Sequence, residues 1–460
     1  MRPVAAQSLL LPVLALAITG CHESPQDLTP ADIAQVRLLH ASPDAPPLDL
    51  YAGPSTSRGQ LISNKIAYGN ATSFQSVGVG SQALMLTRTG APYDQLYGAE
   101  LDLKKGDKID LVAAGEADGG LHVVVLHESN IAPDAGTVRL RVLNASPDAT
   151  PMGVDLGNNG SIEIPDLALL QDSGAQGIEI PAGSPQRLGI VVGGETIANF
   201  SLPGLPSGSD ALLVLTGYAA KPPRDSDGLS LLAPGLGLVK QDSSVYFGNL
   251  VRLPGSETSL DVYSSGSLLV SDLQLGSMVR IPLTSFGFTT TACPHGAAPH
   301  SSSCFPIGQV GGPTVTFQPG HRYLVLVHFK VEDFLSTFFD DTFDPGQADP
   351  QLRFINSARC CTVDVGVLDG GQLTVFDGYS PIGLLDGAVS SGPVLQPGNY
   401  TLGFRFTGDT TVYGFETVLS PGSRSFAVFG PSSEGTPEPQ LYLIDTATQP
   451  WSLTVHSPLP

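Results

Sequence analysis

Residues 36–51, VRLLHASPDAPPLDLY, and residues 138–157, VRLRVLNASPDATPMGVDLG, decide how the chain is built. Each carries an apolar run, a Ser-Pro-Asp-Ala turn and a second run with an aspartate inside it. Ser-Pro-Asp-Ala suits a type I turn, because proline presets φ and the Ser and Asp side chains bond local backbone. The segment predicts a strand ending near Leu39 and another beginning near Leu48. In that second strand Leu48 and Leu50 face the core, while Asp49 and Tyr51 face away or Asp49 bonds the turn's backbone. His40, Ser42 and Asp44 also resemble the parts of a hydrolase. Ser42 sits two residues from His40 in a chain that extends and then turns, and no G-x-S-x-G elbow surrounds it. The second copy has Asn144 where the first has His40, and asparagine cannot act as a general base. The segment therefore reads as structure.

The framing residues recur through the chain. Aspartates flanked by apolar residues stand at Asp49, Asp155, Asp261 and Asp364, spaced 106, 106 and 103 apart. A few residues before them come His40, Asn144, Asn249 and Asn356, and late glycines follow at Gly106, Gly208, Gly320 and Gly422. Two landmarks with nearly one period predict four tandem units, at 35–131, 137–235, 243–345 and 351–446. An acid at the same place in every unit predicts a hydrogen bond that each unit needs. Residues 447–460 read as a C-terminal tail. Unit 3 alone carries TTTACPHGAAPHSSSCF (289–305), which reads as an insertion, and the joins APDAG (132–136) and FDPGQADP (343–350) read as linkers. Within a unit the apolar period is two, as in RYLVLVHF and LHVVVLHE, and no amphipathic helix stands out. About 100 residues with some seven short strands predict an all-β chain of immunoglobulin-like β-sandwich domains. The Cys…Trp…Cys core of antibody domains is missing, since the single Trp is Trp451.

Ala-Ser-Pro-Asp-Ala at 41–45 and 145–149, within the two stretches quoted first, resembles the domain of unknown function 4397 family of secreted and lipid-anchored bacterial proteins. Units 3 and 4 depart from it, with NLVRLPGSETSLDVY and NSARCCTVDVG keeping only the framing Asn and Asp. The resemblance implies a repeat and a cell-envelope setting. It brings no catalytic residue, cofactor or ligand.

The N-terminus, MRPVAAQSLLLPVLALAITGC, has a charged Arg2, an apolar run over 9–18 and small residues before Cys21, the order of a secretory signal peptide over 1–20. Ile18-Thr19-Gly20-Cys21 resembles a bacterial lipobox, which implies lipidation of Cys21 and a membrane partner through that anchor. His22 stands where an aspartate would retain such a protein in the inner membrane, so the resemblance points to the outer membrane. Residues 21–34 then form a lipidated cysteine and tether. The chain carries a formal charge of −21, and removing Arg2 makes it more acidic. Nucleic acid would repel it, so nucleic-acid binding is set aside.

Asp44 and Asp49, with turn carbonyls, are weak calcium candidates, and neither belongs to a full ligand spacing. After Cys21, four cysteines remain: Cys293, Cys304, Cys360 and Cys361. In an exported chain they are disulfide candidates. Cys293–Cys304 is the first choice and leaves a vicinal Cys360–Cys361 bridge; alternatively both of these reach the insertion. His295 and His300 offer a Cys/His zinc reading of the same segment. These observations favour a non-catalytic adhesion, scaffolding or binding array on the cell surface, with protein or glycan as the possible partner and no cofactor. An envelope enzyme with its site at a domain junction and a calcium-stiffened stalk are the alternatives.

Overall fold

A computed structural model describes residues 33–56, 59–116, 120–250, 259–282, 290–299, 301–306, 317–330, 333–357, 361–383, 392–430 and 438–460. The signal segment, Cys21, the tether to residue 32, His300 and Cys360 lie outside these residues. The described residues are all-β, with strands in eight small sheets and no helix.

Unit 1 shows the plan. Its strands are β1 (Ile33–His40), β2 (Leu48–Pro54), β3 (Gln60–Ile66), β4 (Gln75–Gly78), β5 (Gly80–Arg88), β6 (Gln95–Leu103), β7 (Lys108–Ala114) and β8 (His122–His127). One sheet runs β4-β1-β7-β8 and the other β3-β2-β5-β6. β1 and β7 pair in parallel, with Arg37 opposite Asp110. A parallel pair needs a long crossover, and here β2 to β6 supply it. The expected seven or so strands thus become eight, and one of the two sheets is mixed.

The plan repeats. Unit 2 comprises β9 (Thr137–Asn144), β10 (Met152–Leu156), β11 (Ile164–Leu167), β12 (Ile178–Pro181), β13 (Gln186–Val192), β14 (Glu195–Leu202), β15 (Asp210–Thr216), β16 (Ser230–Ala233) and β17 (Gly237–Lys240), in sheets β12-β9-β15-β16-β17 and β11-β10-β13-β14. Unit 3 comprises β18 (Ser244–Asn249), β19 (Ser259–Ser264), β20 (Ser267–Gln274), β21 (Ser277–Pro282), β22 (Thr290–Pro294), β23 (Phe305–Pro306), β24 (Arg322–Lys330) and β25 (Asp333–Asp340), in sheets β21-β18-β24-β25 and β20-β19-β22-β23. Unit 4 comprises β26 (Gln351–Asn356), β27 (Val363–Asp369), β28 (Gln372–Val375), β29 (Gly398–Phe406), β30 (Tyr413–Leu419), β31 (Arg424–Gly430), β32 (Gln440–Asp445) and β33 (Ser452–His456). Its sheets run β26-β31-β32-β33 and β28-β27-β29-β30. The parallel pair returns as β9–β15, β18–β24 and β26–β31. In unit 4, among the described residues, a single bridge between Gln351 and Val394 stands where β4 stands in unit 1.

The strands of each parallel pair are buried on both faces, which explains their near-continuous apolar runs. In β1, Ala34, Val36 and Leu38 enter the core of unit 1, whereas Leu39 points out of it. Leu39, Val112, Ala114 and Leu126 pack against Leu143, Leu212, Val214 and Leu232 of unit 2. Units 3 and 4 meet through the matching sheets, but with larger side chains: Tyr246, Leu324, Leu326 and Phe339 against Phe426, Val428, Tyr442, Ile444 and Trp451. The chain is two back-to-back pairs of sandwiches.

That packing changes three readings. The join residue Phe343 is buried in the contact between units 3 and 4, so this join is a packed connection. The tail of 447–460 contains β33, which pairs with β32, and the buried Trp451 stacked on Tyr246 at 4.1 Å. The insertion of unit 3 supplies β22, β23 and the turn between them, so it is that unit's version of the β5–β6 hairpin.

Candidate functional site

His40, Asn144, Asn249 and Asn356 end the first strand of their units, and all are buried. Asn144 Oδ1 accepts the Ser146 N–H at 3.1 Å, and its Nδ2 donates to Ala149 O and Leu167 O at 2.8 and 3.1 Å. His40 spans the same turn: Nδ1 accepts the Ser42 N–H at 3.4 Å, and Nε2 lies 3.1 Å from Pro46 O. This fixes the tautomer with the proton on Nε2. Burial pushes the imidazole pKa down, against smaller opposing effects from the Pro46 and Ala45 carbonyls and Asp44. Asn249 donates to Leu273 O, and Asn356 to Cys361 O and Ile382 O. Ser42 and Ser146 donate to Gly115 O and Gly217 O, both at 2.6 Å. The serine of each copy thus bonds the backbone of a neighbouring strand end, as a structural hydroxyl does.

The recurring acids are clamps. Asp49 on β2 accepts the Lys65 N–H (2.8 Å) and Thr89 hydroxyl (2.9 Å) on Oδ1, and the Gly90 N–H (3.1 Å) on Oδ2. Lys65 has a left-handed backbone at a bulge in β3, so the carboxylate holds an irregular strand and a hairpin turn together. Asp261 does the same in unit 3, taking the N–H groups of left-handed Asp272 and of Gly296, and His295 Nδ1 at 2.8 Å. Burial opposes the charge on Asp49 and Asp261, but these donors outweigh it and hold both pKa values below the ordinary carboxylate value. Asp155 takes Asn159 and Gly160 N–H groups, and Asp364 takes Arg405, Ser380 and Thr407. The partners change while the acid keeps its place.

The same geometry bears on calcium. Both oxygens of Asp49 face N–H or O–H donors, which a cation would have to displace. Asp44 receives the Ser42 hydroxyl at 3.3 Å. Cys293 and Cys304 form a disulfide across the β22–β23 hairpin. That removes both thiols from a zinc site, and His295 is held by Asp261. Cys361 is free and exposed, and the two thiols of the insertion are bonded to each other; Cys360 lies outside the described residues.

Sequence reasoning missed a cavity where three units meet. About 610 Å³ in volume, it is lined by Asp148, Val192, Glu195, Ile197, Asn199 and Ala220 of unit 2, Arg280 of unit 3, and Gln449 and Pro450 of unit 4, among others. Its floor includes β14, the outer strand of its sheet, whose Thr196 and Ile197 carbonyls accept Arg280 Nη1 at 3.4 and 3.3 Å. Gln449 Nε2 donates to Ile197 O and Gln241 Oε1, which fixes the amide orientation. Asn199 Oδ1, Arg280 Nε and Gln449 Oε1, one atom from each unit, are buried and have no hydrogen-bond partner among the described residues. Asp148, by contrast, accepts the Ala219 and Ala220 N–H groups, one on each oxygen. No single-unit motif could have signalled this site, because its residues lie up to 302 positions apart. A second hollow, about 560 Å³, opens in unit 4 beside Tyr400, Thr417 and His456.

Residues 34–155 match the family model of the Domain of unknown function (DUF4397), which covers unit 1 and runs into β10 of unit 2. No curated protein matches the chain. Among solved structures, one described as alpha-glucan binding by a streptococcal virulence factor is similar at 15% identity over 39% of this chain and 93% of that one, with a TM-score of 0.15. The Bacillus anthracis TIE protein is similar at 9% identity over 90% of this chain and 76% of its own, with a TM-score of 0.14.

Proposed function

We propose that this is a lipid-anchored protein of the bacterial cell envelope, held through Cys21 at the outer membrane. Its four immunoglobulin-like sandwiches then act as a non-catalytic binding or scaffolding array for a protein or glycan partner. The junction cavity is the binding site in this reading. The observation that carries it is the contrast between the two sets of polar groups. The histidine, serines and acids of the repeated marker are engaged in holding turns and strands. The cavity instead gathers the polar side chains of Asn199, Arg280 and Gln449, from three units, beside Val192, Ile197, Ala220 and Pro450. A hollow of this size with a few convergent polar groups is the form that ligand sites take.

The test is capture from envelope extracts by the soluble chain starting at residue 22, beside an Ala220→Phe variant that fills the cavity. The expected result is a partner held by the wild type and lost with the variant. Capture of nothing by the wild type overturns the binding reading, and equal capture by both overturns the cavity as its site. For the anchor, Cys21→Ala should abolish labelling by an alkyne fatty acid and release the protein from membranes; persistence of the label would refute lipidation there.

A further inference from the structure

We infer that the two back-to-back pairs of sandwiches are rigid bodies joined by a hinge, and that the junction cavity is the cleft this hinge opens and closes. The inference concerns movement and holds whether or not a partner binds in the cavity.

The seam between the pairs differs in kind from the contacts inside them. Units 1 and 2 share a buried apolar cluster that includes Leu39 and Leu232, and units 3 and 4 share one that includes Phe426 and Trp451. Among the described residues, no buried apolar cluster draws members from both pairs. Polar groups hold the pairs together instead. Arg424 of unit 4 grips Asp225 of unit 2, with Nη1 on Oδ1 at 3.1 Å and Nη2 on Oδ2 at 3.3 Å. Arg224 of unit 2 donates to Asp341 O of unit 3 at 2.7 Å. Arg280 and Gln449 reach the Thr196 and Ile197 carbonyls. Water replaces such bonds when the seam opens, so each adds little net stability, whereas parting an apolar contact loses its burial outright.

The closed seam also leaves bonds unmade. Asn199 Oδ1, Arg280 Nε, Arg424 Nε and Gln449 Oε1 are buried without a partner among the described residues. Each is hydrated again on opening, which brings the open form closer in free energy to the closed one. The covalent link is short, since β17 ends at Lys240 and β18 begins at Ser244. Asp242 in that link is tied to unit 2: its N–H donates to Asn199 O at 2.8 Å, and its Oδ2 accepts the Ser201 hydroxyl at 2.9 Å. Its neighbours are tied to unit 3, where Gln241 O accepts the Gly320 N–H and Ser243 Oγ donates to Gln318 O, both at 2.6 Å. Successive residues anchored to opposite bodies concentrate rotation in the few backbone angles between them. The cavity has walls from unit 2 on one side and from units 3 and 4 on the other, so that rotation sets its width.

The test is small-angle scattering by the soluble chain starting at residue 22, as wild type and as Asp225→Asn. The amide keeps the shape of the acid but leaves Arg424 an unpaired charge in the closed seam, which opening hydrates. The variant's radius of gyration is expected to exceed the wild type's by roughly a tenth, as two compact bodies moving apart by several ångströms require. The emission of Trp451 should stay unchanged, because this single tryptophan lies inside the contact between units 3 and 4. An unchanged radius overturns the hinge, and a red-shifted emission overturns the rigidity of the pair. The wild type gives a second reading that needs no variant. Its calorimetric enthalpy of melting should be about twice the van't Hoff value, as two separately melting bodies dictate. Equality of the two enthalpies would mean one cooperative block and would overturn the inference.

Discussion

At position 40 an imidazole spans the turn that a carboxamide spans at position 144, and the exchange has a cost in acid. Burial holds the His40 pKa below its ordinary 6.5, so the unfolded chain takes up the proton first as pH falls. The stability tied to neutral His40 is therefore whole above about 6.5 and is lost as pH drops from there towards the lowered folded value. His40→Asn should narrow the gap in melting temperature between pH 7 and pH 5; an unchanged gap would refute the assignment. Asp49 works in the opposite range. Its folded pKa lies below the ordinary 3.8, so its contribution is present above that value and is lost as pH falls through the folded one. Asp49→Ala leaves three donors stranded and should cost about 2–3 kcal/mol in denaturant unfolding at pH 7. Asp49→Asn should cost nearly as much, because one amide hydrogen donor would face the Lys65 or Gly90 N–H, and its deficit should shrink below pH 4. The turn and the position of its acid were legible in residues 36–51. The acid's partners were not, because Lys65 sits at a bulge within β3 and Thr89 and Gly90 in the turn after β5, and that bulge has no signature in sequence.

Among the elements, β33 shows where pattern reading stops. β24 and β8 announced themselves by period-two apolar runs in RYLVLVHF and LHVVVLHE. β33 is five residues, SLTVH, beyond the last landmark of the fourth unit, and only its register with β32 makes it a strand. It matters nonetheless. Trp451 packs on Tyr246 and Phe426, and Thr446 and Thr448 carbonyls accept the buried Arg322 guanidinium of unit 3. Trp451→Ala should cost about 3–5 kcal/mol in chemical unfolding, the range for large aromatics deleted from a core. Truncation after residue 446 should expose the face shared by units 3 and 4 and raise binding of a hydrophobic dye; a truncated chain that melts like the full one would contradict the packing.

Across the whole molecule, the near-constant interval between acids reflects the recurrence of one strand, since Asp49, Asp155, Asp261 and Asp364 sit on β2, β10, β19 and β27. The pairing of units stayed hidden, because a strand buried on both faces reads the same whether its second face meets its own unit or the next. An isolated unit 1, residues 33–131, should therefore self-associate through Leu39, Val112, Ala114 and Leu126, while residues 33–240 should stay monomeric by light scattering. Association of both, or of neither, would count against the back-to-back contact. The parallel pairing of first and seventh strands sets a timetable as well. β1 finds β7 only after some 70 residues more of chain, and β9, β18 and β26 wait about as long for their partners. Contacts so distant in sequence slow the closure of each sandwich. A chain delivered from its N-terminus thus keeps each unit open until its last third has arrived, and it remains threadable through a narrow pore for that interval.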